Sequence, residues 1–149
     1  MLSAHEQIAL QRISGLLSAA ADPWWVLGSA AMALIGVDPG EIRDIDVLVS
    51  RRDATALMDS HHWENQADGG TDHFRSSIFL QPDLGETPIE IMSGYEIRRG
   101  DKWEPVQPAS RLRVMLDDAA LFVPERWEQI EILNRLARPK DRERISRFV

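Results

Sequence analysis

The stretch Arg43-Asp44-Ile45-Asp46-Val47-Leu48-Val49 decides how this chain is read. Along a strand successive side chains face opposite ways, so Asp44 and Asp46 share one side while Ile45, Val47 and Val49 share the other. One face builds core and the other presents two carboxylates. Cα atoms at i and i+2 lie roughly 6.5 to 7 Å apart, a separation at which converging side chains can share one cation. Without a cation the two charges repel.

A second apolar run, Pro88-Ile89-Glu90-Ile91-Met92, carries a single acid in the same setting. If the two segments are neighbouring strands, three carboxylates meet. Buried like charges raise their own pKa values or destabilise the fold unless a cation neutralises them. A hard divalent ion such as Mg²⁺ takes carboxylate oxygens and keeps positions for phosphate and water. The competing reading is edge-strand acids facing water and paired with Arg43 or Arg75. It suffices for one acid; two at i, i+2 and a third in a like apolar run favour the metal.

Upstream, Trp24 to Leu27 is a strand-forming run ended by Gly28, and Ser29 to Leu34 reads as a short helix. Glycine permits close backbone approach, and a helix start with a hydroxyl offers free N–H groups to an anion. Alone, this is as well read as a tight turn with Ser29 as N-cap; its weight comes from the acids.

Working outward, Ser3 and Glu6 have the form of a capping box, opening an amphipathic helix to about Ala21. The strand around Asp46 spans Ile42 to Val49, and Ser50 caps a helix from Arg51 to about Asp59. Phe74 to Leu80 and Pro88 to Met92 read as strands, and Val114–Leu116 with Leu121–Val123 as a hairpin around Asp117 and Asp118. A helix follows Pro124 with Ile130, Leu133 and Leu136 inward. Pro139 interrupts it, and a last helix starts near Asp141, read as its N-cap. The class is α+β, a mixed sheet flanked by helices with a short C-terminal helical segment.

At 149 residues the chain has the size of one domain: an N-terminal helix over 1–22, a sheet core over 24–123 and C-terminal helices over 124–149. The absence of cysteine excludes disulfides, thiolate catalysis and zinc-thiolate sites, and fits a reducing, cytoplasmic setting. No signal peptide or membrane-spanning run is read in it. A net charge of −7 argues against a long nucleic acid and fits a small anion carried with a divalent cation. The basic groups Arg98, Arg99 and Lys102, and Arg138, Lys140, Arg142, Arg144 and Arg147, read mostly as solvated faces. His61, His62 and His73 read as structural, and the tryptophans mostly as core, with Trp63 or Trp103 in loop settings that suit stacking on a base or sugar.

Taken together, Val26-Leu27-Gly28-Ser29, the Asp44-x-Asp46 strand and the Glu90 strand resemble the nucleotidyltransferase superfamily, the polymerase-beta-like fold. Val123-Pro124 and Arg138-Pro139-Lys140-Asp141 resemble the end of its small bacterial members, the aminoglycoside and toxin-type nucleotidyltransferases. Where many of those carry a lysine before the Arg-Pro-Lys-Asp segment, this chain has Leu133, Asn134 and Arg135. The resemblance implies transfer of a nucleoside monophosphate from an NTP such as ATP to a hydroxyl on a small molecule or protein, with antibiotic resistance or a toxin-antitoxin system as settings. It implies Mg²⁺ or Mn²⁺ on Asp44 and Asp46, with Glu90 as third ligand and general base. Gly28, Ser29, Arg43 and Lys140 would contact the nucleotide, the chain acting alone or as a homodimer. The same fold also suits a nucleotide-binding or antitoxin-like interaction module without turnover, or a phosphohydrolase.

Overall fold

The computed structural model describes residues 1–149. In chain order the elements are α1 (Ala4–Leu16), β1 (Trp25–Leu27), α2 (Gly28–Leu34), β2 (Ile45–Leu48), α3 (Arg51–His61), β3 (Phe74–Arg75) and β4 (Ile78–Leu80). Then come β5 (Ile89–Ser93), β6 (Glu96–Arg99), β7 (Lys102–Pro105), β8 (Leu112–Leu116), β9 (Ala119–Val123), α4 (Arg126–Leu136) and α5 (Pro139–Ser146). This is the α+β architecture expected. No helix is long and apolar enough to cross a membrane.

The alternation read from sequence sorts the central sheet into two unlike faces. Its order is β1-β2-β5-β4, with β2 and β5 parallel and the outer pairs antiparallel. Val26, Ile45, Val47, Ile89 and Ile91 are buried on one side against Leu10, Ile13, Ala54 and Leu121. Each such aliphatic side chain stabilises the fold by about 1.5–3 kcal/mol. That burial offsets the polar cost of the opposite face, where Asp46 and Glu90 lie.

Four expectations need correction. Helix α1 opens on the Ser3–Glu6 capping box but ends at Leu16, short of Ala21. Its extension is blocked because the Asp53 carboxylate accepts the N–H groups of Ala21 and Asp22, at 2.8 and 3.0 Å. Strand β2 is shorter than Ile42–Val49, so Asp44 stands just before it. Asp141 is not the N-cap of the last helix: Arg138 holds that position, Pro139 opens the helix, and Asp141 sits at N3, accepting the Arg138 N–H at 3.0 Å.

The fourth concerns Phe74 to Leu80, which is two strands in two sheets, β3 with β6 and β4 with β5. The pairing keeps one register across the break, Arg75 opposite Glu96 and Ile78 opposite Ser93, so this is a single antiparallel ribbon bent in the middle. At the bend Gly94 is backed so closely onto Ser77 that an added Cβ would lie 2.4 Å from the hydroxyl oxygen. Only glycine permits that approach.

The β6–β7 hairpin was not read from sequence. Its two-residue loop, Gly100-Asp101, turns Arg98, Arg99 and Lys102 into strand residues facing solvent. The β8–β9 hairpin forms as expected around Asp117, whose φ of 52° is the left-handed geometry such turns need.

Candidate functional site

Asp46 stands at the centre of the sheet, opposite Leu27 on β1 and Glu90 on β5. Both neighbours are consequences of register. The parallel β2–β5 pairing sets Glu90 beside Asp46 on the same face, and the antiparallel β1–β2 pairing ends β1 next to that carboxylate. Carboxylate oxygens of Asp44, Asp46 and Glu90 lie within 4.8 Å of one another. Asp44, one step outside the strand, reaches the group because the chain enters β2 along the same face.

Gly28 follows Leu27 with φ +66°, and a Cβ there would lie 3.3 Å from Asp46 Oδ2. A side chain at this position would be strained and would press on the acid. Ser29, next in line, is buried in the first turn of α2.

Electrostatically the triad is uncompensated. Arg43 pairs with Glu41 at 3.5 Å and Arg75 with Glu96 at 2.8 Å, so the edge-strand alternative fails on both its cations. None of the three acids forms an ion pair with a lysine or arginine. Desolvation, then the charges of Asp44 and Glu90, hold the Asp46 carboxyl well above the ordinary carboxylate range. Glu90 is raised by desolvation and by the charge of Asp44. Asp46 keeps part of its surface open to the cleft while protein encloses the rest.

Three hard oxygen donors, close together and without a cation of the chain's own, are the donor set a divalent ion such as Mg²⁺ takes. The residues present fit such an ion.

The triad forms the floor of a cleft of about 610 Å³. Gly28, Ser29, Arg43 and Lys140, the residues that the resemblance assigns to the nucleotide, also line it. The aromatic expectations do not hold there: Trp63 stacks on His61, Trp103 lies under Arg75, and Trp127 is 53% exposed. None of them, and none of the histidines, lines the cleft. The aromatic wall is instead Phe74, Phe79 and Tyr95, the first two from the bent ribbon and the last from the residue just before β6. Tyr95 is partly buried, and desolvation of its hydroxyl, with the Asp46 charge, raises its pKa. Alternation around Glu90 could have hinted at Phe79, but the bend that aims Phe74 and Tyr95 has no local signature.

Sequence reasoning also missed the part played by α5. Arg138, Arg144 and Arg147 border the cleft, and Gln129 from α4 lines it with its Oε1 unpartnered. The Gln129 amide is oriented by its Nε2, which donates to the carbonyl of Pro124 at 2.9 Å.

No protein-family model matches this sequence, and no curated protein is similar to it. Solved structures are similar in fold. A Thermotoga maritima protein provisionally described as a nucleotidyltransferase superposes with a TM-score of 0.77 at 23% identity, over 98% of this chain and 93% of the other. An antigenic nucleotidyltransferase-like protein of Paracoccidioides brasiliensis gives 0.58 at 15% identity, over 99% and 77%. ANT(2'')-Ia, solved in complex with adenylyl-2''-tobramycin, gives 0.52 at 13% identity, over 94% and 87%. The chain therefore has the nucleotidyltransferase fold.

Proposed function

We propose that the protein is a metal-dependent nucleotidyltransferase that moves a nucleoside monophosphate from an NTP to a hydroxyl group. The observation that carries this reading is the uncompensated triad Asp44, Asp46 and Glu90, placed by strand register beside the Gly28–Ser29 turn. Fold alone would not suffice, because one fold hosts many activities.

Asp44, Asp46 and Glu90 hold the metal, Mg²⁺ or Mn²⁺; when bound, it supplies charge neutralisation at the triphosphate and at the reacting phosphorus. The chain's own residues do the rest. Glu90, on the strand beside Asp46 and held above the ordinary carboxylate range by burial and by Asp44, is placed to accept the proton of the acceptor hydroxyl. The acceptor oxygen forms a bond to the α-phosphorus, the bond from that phosphorus to the bridging oxygen breaks, and pyrophosphate leaves with the electron pair. Gly28 and Ser29 hold the departing phosphates in line, a positional contribution. Arg43, exposed and paired only at 3.5 Å, stands at the rim where it can turn to the nucleotide.

The acceptor is a small molecule or a protein. ANT(2'')-Ia, with its adenylylated tobramycin, makes aminoglycosides the first acceptors to try. Incubation with labelled NTPs, Mg²⁺ and a panel of aminoglycosides and candidate proteins tests the reading. Transfer with pyrophosphate release, abolished by Asp44→Asn and by Glu90→Gln, is the expected result. Nucleotide binding without transfer would replace this reading with that of a non-catalytic module, and release of inorganic phosphate would indicate hydrolysis.

A further inference from the structure

Strand β8 is an open edge. Its only strand neighbour, β9, packs against α1 and β1, and Ser14 of α1 donates its hydroxyl to the Ala120 carbonyl at 2.8 Å. No strand pairs with the far side of β8. The hairpin closes through the two-residue turn Asp117-Asp118, so the flanking pair Leu116 and Ala119 is hydrogen-bonded and the pairs alternate from there. Leu112, Val114 and Leu116 therefore direct their backbone groups at β9, while Arg113 and Met115 turn their N–H and C=O groups outward.

This edge is apolar where it lies open. Leu112 is 41% and Met115 50% exposed, while Val114 and Leu116 are half-buried on the face that continues the main core. Unpaired backbone groups beside such side chains are a template for another strand. The charges are sorted by end, with Arg111 and Arg113 at the start of the strand and Asp117 and Asp118 past its finish. None of the four forms an ion pair within the chain. Both ends are held in place: Arg111 lies over the Phe122 ring and its Nε donates to the Trp24 carbonyl at 3.1 Å, and Asp117 accepts the Gln11 amide at 3.2 Å.

We propose that β8 is a self-association edge whose occupant is a second copy of this chain, the two β8 strands pairing antiparallel about a two-fold axis at Val114. That register sets Arg113 of one copy opposite Met115 of the other, so the outward backbone groups bond in two reciprocal pairs. Along the core face, Leu112, Val114 and Leu116 read Leu-x-Val-x-Leu in either direction. Leu112 then meets Leu116 and Val114 meets its own copy, joining two apolar faces. Antiparallel pairing also brings the positive end of each strand to the negative end of the other, whereas parallel pairing would stack like charges. A two-fold contact occupies both β8 edges at once, so association stops at two copies. Five residues a side make a smaller contact than a permanent dimer has, so the pair dissociates on dilution. No residue of β8, its turn or β9 lines the acid cleft, and the contact is independent of the transferase reading.

Sedimentation velocity on the full chain over a dilution series, from high to low micromolar, is the test. The wild type should show a reversible monomer–dimer equilibrium that shifts toward monomer as salt is added. Met115→Pro removes an outward N–H and leaves the β9 ladder intact; it should weaken the dimer about a hundredfold or more. Arg113→Glu should weaken it about tenfold, and adding Asp118→Lys to the same chain should recover the loss, which a folding defect would not allow. Circular dichroism and thermal melts check that each variant is folded. A wild type that is monomeric throughout leaves the edge to some other chain and overturns the proposal. So does a folded Met115→Pro variant that dimerises like the wild type, a charge-swapped double variant no better than Arg113→Glu alone, or wild-type assemblies that grow beyond two copies.

Discussion

Two sets of acids in this molecule behave in opposite ways. Asp53, Glu128 and Asp141 are buried, and each has its oxygens spent on the chain itself. Asp53 takes the N–H groups of Ala21 and Asp22, Glu128 those of Ala109 and Ser110 at 2.7 and 2.8 Å, and Asp141 the N–H and guanidinium of Arg138. Asp44, Asp46 and Glu90 are less enclosed yet have only one another. An acid whose lone pairs are consumed by backbone and arginine holds loops and helix ends in place. An acid denied such partners costs stability and leaves its oxygens to a ligand. Asp46 and Asp141 border the same cleft, so partnership rather than location separates the two roles.

The comparison breaks most sharply if Asp46 proves dispensable. Asp46→Asn should lower transfer by about a thousandfold or more, since a metal's charge stabilisation of the transition state is worth several kcal/mol. Its metal-free melting temperature should not fall, because the substitution removes a repelled charge. Steady-state rates and thermal melts on one preparation check both halves.

Asp141→Ala should do the reverse. It strands Arg138 at a helix start with no counter-charge, a change that costs about 3–5 kcal/mol. Urea unfolding reads this loss, while Mn²⁺ affinity of the folded protein should stay near that of the wild type.

Metal addition should sharpen the contrast further. Mn²⁺ at a hundred times its Kd should raise wild-type stability by about 2.7 kcal/mol, and Asp46→Asn or Glu90→Gln should gain far less. Asp141→Ala should gain as much as the wild type, because its deletion leaves the triad untouched.

The smallest effect is on pH. Asp46 and Glu90 have folded pKa values raised above those of the unfolded chain. The folded state therefore binds more protons between the ordinary carboxylate range and those raised values, and stability falls as pH rises through that window. In a chelator, the wild type should gain stability relative to Asp46→Asn as pH is lowered from above the raised values toward the ordinary carboxylate range. Saturating metal should abolish that gain, since the ion takes over from the proton. A relative stability flat with pH in the chelator would mean the carboxylates are already compensated.

Much of the site was legible because strand alternation is a local rule. Ile45 and Val47 facing core, with Asp46 facing away, follows from a period of two, and the same holds for Ile89, Glu90 and Ile91. The capping box at Ser3 and Glu6 was legible for the same reason, since both partners lie within one turn. Where reading failed, the cause was distant. Helix α1 stops because of Asp53, more than thirty residues away, and the Phe74–Leu80 segment bends because Gly94 crosses behind Ser77. The aromatic wall was misplaced because side-chain type says that Trp63 and Trp103 are large and flat, not which space they face.

From its sequence alone this chain committed to two apolar strands bearing acids, a glycine turn ahead of them and a class of mixed sheet and helices, because these depend on spacing between near neighbours. Tertiary structure decided that the two strands lie side by side and in parallel register, that Gly28 backs onto Asp46, and that α5 folds back to bring Lys140 and Arg144 to the same cleft. Those relations join residues tens of positions apart. They are set by which apolar faces can be buried against each other, a property of the whole packed chain that no local window contains.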